Sequence, residues 1–120
     1  MKIAINEPNI SKEECAGSLK HILDALYVLN GKWKLALILC LVQSSKRFNE
    51  IQHDVTGISP KVLAKELKDL EGNKLVKRTV YDSFPPVVEY CATEHTQTLN
   101  TVIFALKQWG YLHRKKITGR

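Results

Sequence analysis

The chain has 120 residues, 44% of them apolar and 25% charged, with a net charge of +6, enough for one domain with a core of its own and too few for two. No apolar run approaches the roughly 20 residues of a membrane span, and the N-terminus is polar and acidic where a secretory signal would be basic and then greasy, so a soluble, cytoplasmic protein with no membrane partner is expected. The positive excess favours a nucleic acid or an anionic surface as partner; residues 44–81 hold eight Lys or Arg against five acids, and Arg114, Lys115, Lys116 and Arg120 make a basic C-terminal tail over 113–120.

After an N-terminal arm over residues 1–18, Leu19, Ile22, Leu23, Leu26 and Leu29 recur at helical spacing and stop at Asn30-Gly31, which predicts a first helix. Lys32 to Val42 is apolar nearly all round and should be the buried central helix. Arg47 to Val55 predicts two turns with Phe48, Ile51 and Val55 on one face, and Thr56-Gly57-Ile58 is a tight connection to the next element. That element is the most telling in the chain. Between Ser59 and Glu71, Leu63, Leu67 and Leu70 form one stripe while Lys61, Lys65 and Lys68 form a second, offset by two residues, or about 200° on a helix. Ser59 is a cap, Pro60 fits the first helical position, and Gly72 or Asn73 supplies the stop. Two short helices joined by a glycine-containing turn are the mark of a helix-turn-helix.

Beyond Gly72 the period changes to two. Leu75–Tyr81 and Val87–Thr93 are rich in β-branched and aromatic residues, and Asp82-Ser83-Phe84-Pro85-Pro86 between them is turn chemistry, so a β-hairpin is expected, placed as a wing. Pro85-Pro86 fixes the backbone and removes two donors, a structural role. From about Glu94 a long helix resumes through Leu99, Val102, Ile103, Leu106, Trp109 and Leu112, with Phe104 and Tyr111 on another side. This is more apolar surface than one small domain needs, and it predicts a symmetric dimer through the terminal helices. Trp33 and Trp109 read as core or dimer anchors. The fold class is thus mainly α with a small β-hairpin, a winged helix-turn-helix spanning residues 1–120 as a single domain.

The chemistry of catalysis is not signalled. His21, His53, His95 and His113 are scattered, no nucleophilic grouping is evident, and no glycine loop for phosphate is present, so neither enzyme nor cofactor is expected. Cys15, Cys40 and Cys91 are far apart and lack metal-ligand spacing, which points to reduced thiols and no metal. Cys40 and Cys91, within expected core elements, read as small apolar residues.

Gly31-Lys32-Trp33, Lys46-Arg47-Phe48-Asn49-Glu50-Ile51, Gly57-Ile58-Ser59-Pro60-Lys61-Val62-Leu63, Leu67-Lys68-Asp69-Leu70-Glu71, Leu75-Val76-Lys77-Arg78 and Pro85-Pro86-Val87-Val88-Glu89-Tyr90 stand in the order and spacing of HxlR-type winged helix-turn-helix regulators of bacteria. From about Cys15 to Gly110 the chain resembles that family. The resemblance implies a MarR-like homodimeric transcription regulator that binds pseudo-palindromic operator DNA and answers a small-molecule or redox effector, in several members an electrophile or oxidant. Ala92-Thr93-Glu94-His95-Thr96 departs from the family's Leu-Thr-Glu-x-Gly, so different packing is expected at that junction. Cys15 falls where electrophile-sensing members carry their reactive thiol, which makes it the candidate redox sensor; the alternative is an incidental cysteine.

The DNA candidates follow from geometry. The N-terminal half of a recognition helix reaches furthest into the major groove, which selects Ser59, Lys61, Val62 and Lys65, with Lys68 a turn further on. Lys46 and Arg47 open the preceding helix and face the backbone in this motif; Arg47 could instead pair with Glu50 or Asp54. Lys77 and Ser83 are wing candidates, while Arg78 could pair with Asp82 or Glu89. A rival reading keeps the winged-helix shape as a protein-interaction module without DNA binding.

Overall fold

A computed structural model describes residues 11–120. The elements are α1 (Lys12–Leu29), α2 (Lys34–Gln43), α3 (Phe48–Asp54), α4 (Pro60–Gly72), β1 (Val76–Tyr81), β2 (Val87–Ala92), α5 (Glu94–Gln97) and α6 (Asn100–Thr118). The chain is mostly helical with one two-stranded antiparallel hairpin, the winged helix-turn-helix expected from the sequence.

The core is built where the sequence period changes from helix to strand. Leu37, Ile38 and Leu41 of α2, Ile51 of α3 and Leu63, Leu67 and Leu70 of α4 meet Leu75 and Val76. All of them are buried. α2 is the central helix, although its Leu39 and Val42 face outward. Gly57, with φ of 91°, turns the chain between α3 and α4, a conformation that costs glycine nothing.

The end of α4 differs from the expected stop. Neither Gly72 nor Asn73 takes the left-handed conformation; Lys74 does, with φ of 62°. The Lys74 N–H donates to the Glu71 carbonyl (3.0 Å) and the Leu75 N–H to the Leu70 carbonyl (3.0 Å). This pair of bonds is a Schellman closure, completed by contact between two apolar residues, here the buried Leu70 and Leu75. It turns the chain directly from the recognition helix into the wing.

β1 and β2 pair in the register Val76↔Ala92 to Tyr81↔Val87. Lys46 adds a backbone bridge to Tyr90, with Lys46 N–H to Tyr90 O at 2.9 Å and Tyr90 N–H to Lys46 O at 2.8 Å. The start of the helix-turn-helix is thereby tied to the wing.

Three boundaries correct the sequence reading. Residues 1–10 of the expected arm lie outside the described residues, but residues 12–18 are already helical, because Ser11 and Glu14 form a reciprocal capping box at the start of α1. The final helix is broken: α5 is a single turn, and α6 starts afresh at Asn100. At the break the bonds tighten to three residues, Thr98 N–H to His95 O at 3.1 Å and Leu99 N–H to Thr96 O at 3.0 Å, and the turn before it is tethered, the buried Thr96 hydroxyl donating to the Leu75 carbonyl and Thr93 to the Lys74 carbonyl at 2.6 Å. The departure at residues 92–96 therefore replaces a glycine with a buried, hydrogen-bonded threonine. Finally, 113–118 of the basic tail continue α6 as exposed helix.

α1 and α6 stand apart from this core. No described side chain of α1 and none of α6 is buried, although Val28, Leu29 and Ile103 lean on the core. The extents are 60 × 37 × 24 Å and the radius of gyration is 17.6 Å, against about 14 Å for a compact chain of this length.

Candidate nucleic-acid interface

α4 presents its two stripes as the sequence implies. Leu63, Leu67 and Leu70 are at most 1% exposed, while Lys61, Lys65 and Lys68 are exposed on the other flank. Ser59 caps the helix, its Oγ accepting the Val62 N–H at 3.2 Å, and Pro60 has no N–H to satisfy. The first turn of α4 carries no acid. Acids occupy the first turns of α1, α3 and α5, as the positive end of a helix dipole favours, whereas α2 and α6, like α4, have none, and the cation there in α2, Lys34, is paired inside the protein. In α4 that place holds the cation Lys61, an arrangement that an external anion would stabilise.

The three lysines are not equivalent. Among the described residues Lys61 and Lys68 make no ion pair, whereas Lys65 reaches Asp69 at 3.2 Å and Glu66 at 3.8 Å. The Lys65 ammonium holds the Asp69 carboxyl below its ordinary value, with burial opposing and Lys34 adding to the effect. Lys65 must therefore give up local acids before it meets a phosphate. Val62 lies between the two stripes, half-buried and leaning on the core.

At the preceding helix the expected pairing is exchanged. Lys46, not Arg47, takes Asp54, with Nζ to Oδ2 at 2.6 Å. This contact pushes the Lys46 ammonium up and the Asp54 carboxyl down. The Arg47 backbone N–H donates to Glu50 Oε1 at 2.8 Å, while its exposed guanidinium makes no ion pair among the described residues. Lys46 is thus an internal brace and Arg47 the available cation.

In the wing, Lys77 is exposed opposite Cys91. Ser83 Oγ donates to the Pro85 carbonyl at 2.8 Å, so its proton serves the turn. Arg78 pairs with neither acid named for it: it stands opposite Tyr90, whereas Glu89 stands opposite Thr79 on the other face. Glu89 instead pushes the Tyr81 phenol above its ordinary value.

One structural device escaped the sequence reading. Lys34, in the first turn of α2, is 6% exposed and sends Nζ to Glu66 Oε2 at 2.6 Å and Asp69 Oδ2 at 3.5 Å. Its hydrogen bond to Glu66 raises the ammonium above its ordinary value against the cost of burial. The bridge ties α4 to α2 beside the buried leucine stripe that sets which face of α4 turns inward. The partners lie 32 residues apart, beyond the reach of local spacing rules.

Trp33 is half-buried against the core, and Trp109 stacks on His113 with ring centres 4.7 Å apart. Cys15 lies within the first turn of α1, not ahead of it, and is exposed; Cys40 is buried and Cys91 half-buried. No group of three or more His, Cys, Asp or Glu able to hold a metal occurs among the described residues. No single helix among them is long and apolar enough to cross a membrane.

A helix-turn-helix with a basic outer flank, braced by a hairpin wing, defines a winged helix-turn-helix transcriptional regulator. The chain belongs to the HxlR-like helix-turn-helix family, whose model matches residues 28–118. It is 38% identical over 89 residues to the HTH-type transcriptional regulator YybR of Bacillus subtilis, covering 74% of this chain and 71% of that one. Among solved structures it is similar to the redox regulator HypR in its reduced form, with a TM-score of 0.74 and 34% identity over 82% of this chain and 98% of that one. It is also similar to reduced YodB of B. subtilis, with a TM-score of 0.70 and 35% identity over 74% of this chain and 87% of that one. YodB has been solved in diamide-treated and quinone-bound forms as well.

Proposed function

We propose that the protein regulates transcription by binding pseudo-palindromic operator DNA as a homodimer, with α4 in the major groove. The observation that carries this reading is the first turn of α4, where an exposed Lys61 with no acid partner among the described residues stands at the positive end of the helix. Lys61 and Lys68 contact phosphates or base edges directly; Lys65 joins after leaving Asp69, Arg47 meets the flanking backbone, and Lys77 meets it from the wing. Ser59 contributes by holding the helix end, and Lys46 by holding α3.

The dimer rests on a second observation. α1 exposes Leu19, Ile22, Leu23 and Leu26 by 53–58%, and α6 exposes Trp109 by 64% and Leu112 by 60%. Such apolar surface belongs under a symmetric partner. In vitro selection of duplexes by the purified protein tests both claims: it should recover two inverted half-sites about one helical turn, or a multiple, apart. Recovery of no sequence above background would favour the protein-interaction reading.

The effector reading rests on the exposed Cys15 and on the likeness to HypR and YodB. Diamide or quinone treatment should change operator affinity in the wild type and not in Cys15→Ser. Unchanged affinity with a fully modified thiol would remove it.

A further inference from the structure

Phe84, at the tip of the wing, is the most exposed large apolar side chain among the described residues. It touches nothing that would hide it, yet the turn presenting it is well braced. The Ser83 N–H donates to the Tyr81 carbonyl at 2.9 Å and Ser83 Oγ to the Pro85 carbonyl at 2.8 Å. Pro85 and Pro86 offer no N–H, so this part of the tip cannot add a strand to a protein partner through backbone donors.

We propose that Phe84 is an apolar wedge that enters the DNA minor groove beside the major groove read by α4 and partly unstacks a base step. The proposal rests on the DNA-binding reading above. Apolar wedges of this kind unstack base steps and bend the duplex toward the major groove. The reach is adequate: six residues of β1 at about 3.3 Å each carry the tip about 20 Å, and adjacent grooves lie about half a 34 Å helical turn apart. The charge pattern suits the same partner. Lys74, Lys77 and Arg78, toward the base of the hairpin, are exposed and in no ion pair among the described residues. Asp82 is the one acid in the turn; the duplex repels it, and the three cations toward the base of the hairpin offset that repulsion. A second copy of the chain is the weaker occupant, because the broad apolar faces for it lie on α1 and α6.

The test uses a duplex recovered by in vitro selection, with fluorophores at its ends and 2-aminopurine at steps flanking each half-site. Wild-type protein should bend the duplex and brighten one 2-aminopurine position per half-site. Phe84→Ala should abolish both signals and weaken binding about tenfold, with unchanged melting temperature and salt slope, whereas Phe84→Leu keeps most of the bend. Equal bending and affinity in wild type and Phe84→Ala, with binding still sensitive to Lys61→Ala, would overturn the wedge alone. Failure of the wild type to bind any duplex would overturn the DNA reading and the wedge with it.

Discussion

α1 and α4 carry the same kind of apolar stripe and meet different fates. In α4, Leu63, Leu67 and Leu70 are 0–1% exposed; in α1, Leu19, Ile22, Leu23 and Leu26 stay 53–58% exposed. Periodicity shows that a face is apolar and says nothing of which molecule covers it. The inner helices close on one another within the chain, while the apolar faces of α1 and α6 stay open, the surface on which the proposed dimer rests. One region supplies the stability of the protomer, and the other, under the proposal above, decides assembly.

Substitutions can break this contrast in order of size. Leu67→Ala should cost about 3 kcal/mol of protomer stability, since it opens a cavity in the core, and thermal melts should show the loss at every protein concentration. Trp109→Glu should instead raise the dimer dissociation constant at least about 100-fold, near 2.7 kcal/mol, with little change in far-ultraviolet circular dichroism. Sedimentation velocity reads it directly; an unaltered dimer would show that α6 is not the assembly face. Lys34→Ala should cost about 2 kcal/mol by leaving Glu66 without its buried partner, and should lower DNA affinity beyond the stability loss because the outer side of α4 loses its tie to α2. Rescue of affinity by the charge-exchanged pair Lys34→Glu with Glu66→Lys would sharpen that assignment. The smallest effect is a gain: Lys74→Gly should stabilise by about 1 kcal/mol, because glycine accepts the left-handed conformation at the end of α4 without strain. Urea titration at fixed protein concentration resolves it.

Local signals made much of this fold legible. Ser59-Pro60 marked the start of α4, the offset leucines and lysines set its two faces, and the change of period after Gly72 announced the wing. The start of α1 was also written locally, in Ser11 and Glu14, but the polar residues around them masked it as an arm. What could not be read was tertiary. The Lys34–Glu66 bridge, the choice of Lys46 over Arg47 by Asp54, and the tether from Thr96 to Leu75 all depend on which residues the fold brings together. The candidate site divides differently: spacing named the basic seam, and the i,i+4 spacing of Lys65 and Asp69 already marked Lys65 as the lysine with a local acid to engage.

Salt dependence of DNA binding by wild type and Lys61→Ala is the decisive measurement for the recognition helix. If Lys61 of each subunit neutralises one phosphate, the slope of log K against log salt should flatten by about 1.8 in the variant dimer, at about 0.9 per phosphate, and affinity should fall across all sequences. An unchanged slope in a folded, dimeric Lys61→Ala protein would contradict the account.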